Sequence, residues 1–156
     1  MQLRFQKAKH GTYRLEVRRD DGSRDARELQ AGYLAHDLMH FAYEMRVRST
    51  RGFYGRVAAG RSLDEAEGRS ATTDSTAMAI EVVVGTLQSA VPHGATPQLI
   101  VERASELLRT QGHAVPVELD AGLVIAVLAD FRRLAGQWAS LGLDEALELR
   151  FDPSTK

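Results

Sequence analysis

Near the start of the chain, Tyr13, Leu15 and Val17 alternate with polar residues, which is the period of a β-strand with one buried face. Segments 3–9 and 12–19 flank a His-Gly dipeptide and together predict a hairpin. The Asp-Gly pair at 21–22 supplies a second turn, because glycine tolerates the positive φ of tight turns, and 23–29 is predicted to return as a weaker strand. Segment 147–151 alternates in the same way, and we predict that it pairs with this N-terminal meander.

Between these strands the hydrophobic period becomes helical. Apolar residues at three- and four-residue steps predict a helix over 74–91, despite its β-branched run. Thr96 followed by proline predicts the start of a second helix, which stops at a glycine. Asp120 is predicted to cap the longest helix, which we expect to be the central core helix and to end in a left-handed turn at Gly142.

Together these elements predict a single domain over 1–156 of the α+β class. We expect a small antiparallel sheet, made of the N-terminal meander and the C-terminal strand, with four to five helices packed largely on one side. A chain of 156 residues is long enough to bury one hydrophobic core.

One further predicted helix carries an unusual polar face. Its apolar stripe is formed by Leu34, Leu38, Phe41 and Met45 and must face the core. An ordinary surface helix carries lysine, glutamate and arginine on its other side, whereas this helix carries aromatic and titratable groups there, which indicates a partly enclosed face. The residues of that face are Tyr33, His36, Asp37, His40, Tyr43, Glu44 and Val47.

His36 and His40 are the candidate metal ligands. Histidines four residues apart on a helix lie about one turn apart on one face, which is the geometry of two ligands to one ion. The sequence HDLMH resembles the HExxH helix of zinc metallohydrolases, and this similarity implies that Asp37 stands where the water-activating glutamate of those enzymes stands. The alternative is that the two histidines only form hydrogen bonds with their neighbours.

Glu44 lies one turn after His40 and is predicted to accept the other ring N–H of that histidine, as carboxylates do for metal-bound imidazoles. The alternative is an ion pair with Arg48. Asp37 and Glu44 are therefore the candidate catalytic residues.

A third ligand has several candidates. Asp64, Glu65 and Glu67 follow His40 at the distance at which such enzymes often place one, and Glu81 and His93 are further possibilities. Glu65 also fits a capping box that opens a short helix at Ser62. The sequence alone leaves the third ligand open.

A strip of arginines with aromatic neighbours suggests a different kind of function. Such a strip around Phe53 and Tyr54 can bind single-stranded nucleic acid, or it can be a solvated surface whose arginines pair with nearby acidic residues, which we favour. We interpret 52–55 as a compact turn whose aromatic rings pack under the histidine helix. The arginines are Arg46, Arg48, Arg51, Arg56, Arg61 and Arg69.

Composition narrows these alternatives. The net charge of −1 disfavours a nucleic-acid partner, and the absence of cysteine removes thiolate chemistry and cysteine-based zinc sites. Segment 55–62 has the glycine spacing of a phosphate-binding loop but carries arginine where that loop requires lysine, so we exclude a nucleotide site. No apolar run has membrane-spanning length, and we expect a cytoplasmic protein.

The order of N-terminal strands, HDLMHFAYE and GFYG resembles a family of small uncharacterised bacterial proteins in which an HDLxHxxxE helix precedes a Gly-Phe-aromatic-Gly segment. The resemblance covers residues 1–67 most distinctly and implies a bacterial source, but it implies no reaction. We therefore predict a protein that binds zinc or another divalent metal, with hydrolysis of a small molecule or peptide as its possible reaction. The alternative is a non-enzymatic module that binds a protein or nucleic acid through the histidine helix and the arginines.

Overall fold

The sheet has four antiparallel strands. The computed structural model describes residues 1–67 and 74–154. The strands are β1 (Gln2–Lys7), β2 (Thr12–Arg18), β3 (Arg24–Gln30) and β4 (Ala146–Arg150). Their spatial order is β3-β2-β1-β4, so the predicted pairing of the C-terminal strand with the N-terminal meander is confirmed, and its partner is β1.

Tight turns set the register of the sheet. His10 and Gly11 both have positive φ, 61° and 71°, which brings Phe5 opposite Leu15 and Leu3 opposite Val17. Because side chains alternate along a strand, this register places all four apolar residues on the same buried face. The opposite face is an open surface of charged residues such as Arg14.

Six α-helices lie in the described part of the chain, one more than the upper limit of the prediction. The additional helix, Phe53–Ala58, lies in the segment that the sequence suggested to be a turn. The helices are α1 (Leu34–Val47), α2 (Phe53–Ala58), α3 (Leu63–Glu67), α4 (Ser75–Ala90), α5 (Pro97–Thr110) and α6 (Ala121–Ser140).

The helices and the inner face of the sheet share one hydrophobic core, so the α+β prediction is confirmed. The centre of that core is α1, which packs against α4 and α6 and buries every residue from Leu38 to Glu44. Our expectation that α6 is the central helix is wrong, because α6 leaves Ile125 57% exposed and Trp138 only partly buried.

Capping residues begin the later helices where the sequence predicted. Asp74, Thr96 and Asp120 each accept a backbone N–H from the first turn of α4, α5 and α6, which satisfies donors that have no partner within the helix. The left-handed turn predicted at Gly142 is wrong: α6 ends at an extended residue, and the positive φ occurs at Asp144. No helix in the described ranges is long and apolar enough to cross a membrane.

Candidate metal centre

The two predicted ligand residues of α1 point at each other. Nε2 of His36 and Nε2 of His40 are 3.1 Å apart, and the two ring centroids are 4.6 Å apart. The side chain of His40 is only 3% exposed, whereas that of His36 is 34% exposed. The pair therefore joins the buried centre of α1 to the surface.

Glu81 completes a group of three, which we call the His-His-Glu group. It comes from α4, which packs against α1, and its Oε2 lies 3.3 Å from Nε2 of His40 and 3.8 Å from Nε2 of His36. In the described residues this is the one set of three or more histidine and acidic side chains whose ligand atoms lie close enough together to hold a metal ion.

The distances within the His-His-Glu group match the size of a first-row metal ion. Three atoms separated by 3.1, 3.3 and 3.8 Å lie on a circle with a radius of roughly 2.0 Å, close to the metal–ligand distance of about 2.0 to 2.2 Å for imidazole and carboxylate at zinc. A metal ion near the centre of this triangle would therefore lie at bonding distance from all three atoms without movement of the backbone.

Glu44 lies behind His40 and orients its ring. The Nδ1–H of His40 donates to Oε1 of Glu44 at 3.1 Å, which leaves Nε2 directed toward Glu81. Glu44 is completely buried and also accepts the backbone N–H groups of Tyr54 and Gly55. The predicted contact with the histidine is therefore present, and the carboxylate bonds to these donors rather than to an arginine.

The same carboxylate explains why a helix replaces the predicted turn. Tyr54 and Gly55 are in the first turn of α2, where backbone N–H groups have no partner within the helix. Glu44 satisfies two of these donors from another element. Gly52 permits the approach, because a Cβ atom at that position would lie 2.3 Å from Cδ of Glu44.

His36 is oriented by a residue that the sequence analysis did not single out. Its Nδ1 donates to Oε1 of Gln88 at 2.9 Å, so that Nε2 faces the His-His-Glu group. Gln88 lies seven residues, or about two turns, after Glu81, so the two share one face of α4. One signal pointed to that face: Glu81 is the single charged residue in the sixteen residues of α4.

The electrostatics of the group reflect two carboxylates around one buried imidazole. Burial alone lowers the pKa of His40, but the hydrogen bonds and charges of Glu44 and Glu81 outweigh it and raise the pKa to about 9. Burial alone raises the pKa of Glu81, but the hydrogen bond and charge of His40 lower it below its usual value. The proton of His40 thus supplies the positive charge that a metal ion would supply between these carboxylates.

Asp37 lies beside the group but is not part of it. Its Oδ2 accepts the hydroxyl of Tyr13 at 2.5 Å, on the side of α1 that faces the sheet. Burial raises the pKa of Asp37, although the Tyr13 hydrogen bond and the nearby histidines act in the opposite direction. This carboxyl group is therefore placed close to the histidines without taking a ligand position.

These residues line a cleft of about 390 Å³, which we call the histidine cleft. Its polar lining comes from both histidines, Asp37, Glu81 and two arginines, and its apolar lining includes Leu29, Phe53 and Met78. A volume in this range suits a small organic molecule. One side of the His-His-Glu group is therefore open to a ligand.

The other candidates for the third ligand lie elsewhere. Asp64 is 82% exposed and lies 3.4 Å from Arg27, and His93 is exposed in a single 3₁₀ turn. Glu65 and Ser62 form the predicted capping box, each accepting the backbone N–H of the other. The side chain of Glu67 lies outside the described residues.

Three arginines of the strip have partners other than those predicted. Arg46 pairs with Asp130 at 2.6 Å and Arg51 with Asp74 at 2.8 Å, and Arg56 donates to a backbone carbonyl. Arg69 lies outside the described residues. As expected, Phe53 packs near the ring of His40, with centroids 5.9 Å apart.

Comparisons with protein-family models, with curated proteins and with solved structures give no match for this chain. The resemblance to HDLxHxxxE proteins therefore stays a prediction. The functional argument depends on the geometry of the site.

Proposed function

We propose that this protein binds one divalent transition-metal ion through Nε2 of His36, Nε2 of His40 and a carboxylate oxygen of Glu81. The observation that carries the proposal is the spacing of these three atoms, which lie on a circle of roughly metal–ligand radius. Imidazole and carboxylate ligands suit zinc and its neighbours in the first transition row, and zinc is our first candidate.

The surroundings of the ligands support this proposal. Metal-bound histidines usually donate their second ring N–H to a carboxylate or another oxygen, which fixes the ring and its tautomer. Glu44 accepts that proton from His40 and Gln88 accepts it from His36. Both contacts leave the Nε2 atoms of the two histidines directed toward each other and toward Glu81.

Hydrolysis is the reaction that the open side of the site favours. Two histidines and one carboxylate are typical of catalytic zinc sites, which leave a position for water or substrate, and a bound divalent ion makes such a water more acidic. Asp37 lines the same cleft, and its raised pKa moves it toward the range in which a carboxylate transfers protons near neutral pH. We assign Glu44 the role of positioning His40, since it is buried behind that ring.

The proposal includes a cytoplasmic bacterial protein that acts without nucleic acid. The partners of Arg46 and Arg51 support the last point, because both guanidinium groups bind acidic side chains of the same chain. The alternative of an interaction module gains no support from these contacts.

Elemental analysis of protein purified without a histidine tag tests the proposal. We expect about one metal ion per chain, or a higher melting temperature on addition of zinc to the metal-free protein. His36→Ala, His40→Ala and Glu81→Gln should each remove stoichiometric metal. The matched control is His93→Ala, which removes an exposed imidazole outside the cluster and should leave metal content unchanged. Equal metal content in all four variants, or no metal and no stabilisation in the parent protein, would refute the site.

A further inference from the structure

A groove of about 650 Å³ runs between α4 and α5, and we call it the α4–α5 groove. Its lining includes Val82, Gly85 and Ser89 of α4 and Leu107 of α5, and Leu107 is 43% exposed. Helix faces in contact with water normally carry charged residues, whereas the one charged residue of α4, Glu81, lies beside the histidines. An exposed apolar groove of this kind is typical of a surface that binds another protein.

Gly85 leaves room for another helix to approach α4. Glycine is a poorer helix former than alanine. Apart from its own helix backbone, no described atom lies within 4 Å of the position that a Cβ at residue 85 would take, so packing within the described chain does not require glycine there. The absence of a side chain does allow a second backbone to come close.

Arg103 and Glu106 give the groove a charge pattern that complements itself. Both side chains are exposed, line the groove and lie about one turn apart on α5. Neither forms an ion pair within the described part of the chain. When two copies of α5 pack antiparallel about a two-fold axis at the level of residues 104 and 105, Arg103 of each copy faces Glu106 of the other. This self-complementarity favours a second copy of the chain over an unrelated partner.

The outer face of α4 and α5 has the area of a small dimer interface. With sixteen residues, α4 is about 24 Å long, and two adjacent helices are about 20 Å wide. Two such faces bury about 1,000 Å² in total, which is at the lower end of the range for specific protein interfaces. An interface of this size supports a reversible dimer.

We propose that the α4–α5 groove binds a second copy of this chain and forms a dimer with two-fold symmetry. Gly85 allows the helices of the two copies to approach, and Leu107 supplies apolar contact. The two pairs of Arg103 with Glu106 set the register of the interface. The proposal is independent of the proposed metal site.

Sedimentation of the full-length protein tests the dimer, at concentrations of about 1 to 500 μM and with a chelator present. We expect the mass to change from that of one chain to that of two, with a dissociation constant of about 1 to 100 μM. A protein that remains monomeric at about 500 μM would overturn the proposal and leave the groove to a different partner.

A pair of glycine variants tests the location of the interface. Gly85→Gln places a long polar side chain where the two copies meet, so it should weaken dimerisation about ten-fold or more. The matched control is Gly136→Gln in α6, which makes the same change at an exposed helix glycine with nothing within 4 Å of its Cβ position. This control should dimerise like the parent protein. Equal dissociation constants for the two variants would overturn the assignment to this groove.

Charge reversal tests the register without a change at Gly85. Arg103→Glu and Glu106→Arg each place like charges opposite each other across the axis, so each should weaken dimerisation about ten-fold or more. The double variant restores both pairs in reversed order and should recover the parent affinity to within about three-fold. Single variants that dimerise like the parent protein, or a double variant that stays as weak as the single ones, would overturn the two-fold arrangement.

Dimerisation and metal binding can fail separately. Gly85, Arg103 and Glu106 lie outside the lining of the histidine cleft, so their variants should keep the metal content of the parent protein. A dimer that binds no metal would support this inference and refute the metal site. A monomer that binds metal would refute this inference and leave the metal site in place.

Discussion

Charged side chains of α1 fall into two groups that are held in opposite ways. His40 and Glu44 are 3% and 0% exposed and bind to each other and to groups from two other helices. Two residues after Glu44, the side chain of Arg46 is 46% exposed and its contact is one aspartate on α6. The change from enclosed to solvated charge occurs within half a helical turn.

The two groups differ in the free energy that each needs to hold its charge in place. Removing a charge from water costs several kcal/mol, so His40 and Glu44 persist only because each has several partners. An exposed ion pair contributes little to the free energy of unfolding, because water and salt screen the two charges. Substitutions should therefore have large effects in the first group and small effects in the second.

Gly52→Ala should have the largest effect on the buried pair of His40 and Glu44. The added Cβ would lie 2.3 Å from Cδ of Glu44, so the carboxylate must leave its position and its donors. We expect a loss of about 3 to 5 kcal/mol in the free energy of unfolding, which is the cost of breaking a buried ion pair. Urea unfolding measures this loss.

The control for that substitution is Gly136→Ala in α6, where nothing lies within 4 Å of the added Cβ. Alanine is the better helix former, so this change should stabilise the protein by up to about 1 kcal/mol. Equal stability of the two variants would mean that Glu44 has room to move and that the group is not tightly held.

Glu44→Gln removes the charge of Glu44 and keeps the shape of the side chain. The amide is a poorer acceptor for His40, so we expect about 10- to 100-fold weaker zinc binding. The variant should also lose about 2 to 3 kcal/mol of stability, since one buried donor is left without an acceptor. Glu148→Gln, at a side chain that is 77% exposed, is the control and should change neither quantity. Zinc affinity equal to that of the parent protein would show that Glu44 does not orient a metal ligand.

The pH dependence of the metal-free protein should come from His40. Because its pKa rises from 6.5 to about 9 on folding, its stabilising contribution is complete below about pH 6.5 and is lost as the pH rises through 9. We expect a decrease of about 2 to 3 kcal/mol over this range, measured by urea unfolding after treatment with a chelator. His40→Gln should flatten the profile, and an equally steep decrease in that variant would assign it to another group.

Zinc binding should show the opposite trend, because the ion must displace a proton from Nε2 of His40. The sequence predicts that affinity falls below the ordinary histidine pKa of about 6.5. The carboxylates around His40 move that fall upward, so affinity should still increase between about pH 7 and pH 9. Zinc titrations at several pH values measure this, and a constant affinity above about pH 7 would contradict the raised pKa.

Substitution of the exposed arginines should have the smallest effects. Arg46→Gln and Arg51→Gln each remove one exposed ion pair, so we expect losses below about 1 kcal/mol that shrink further in high salt. Metal content should not change. A loss as large as that of Glu44→Gln would remove the distinction between the two groups.

Local features of the sequence were sufficient for much of the fold. Alternation and turn residues predicted the four strands, and the Thr96 and Asp120 caps predicted where two helices begin, because each signal lies within one turn or one strand of the structure that it specifies. The pairing of His36 with His40 could also be predicted locally, because two residues four apart on a helix always lie about one turn apart on the same face. The contact between His40 and Glu44 follows from the same spacing.

Tertiary structure decided the rest. Glu81 lies 41 residues after His40, and the packing of α4 against α1 brings it to the histidines. In the sequence, Asp64, Glu65 and His93 were equally possible metal ligands. The α2 helix likewise depends on the Glu44 carboxylate from another element, which no local pattern of 52–58 records. Periodicity specifies which face of an element is buried, but the partner of that face is chosen by packing between elements that are distant in sequence.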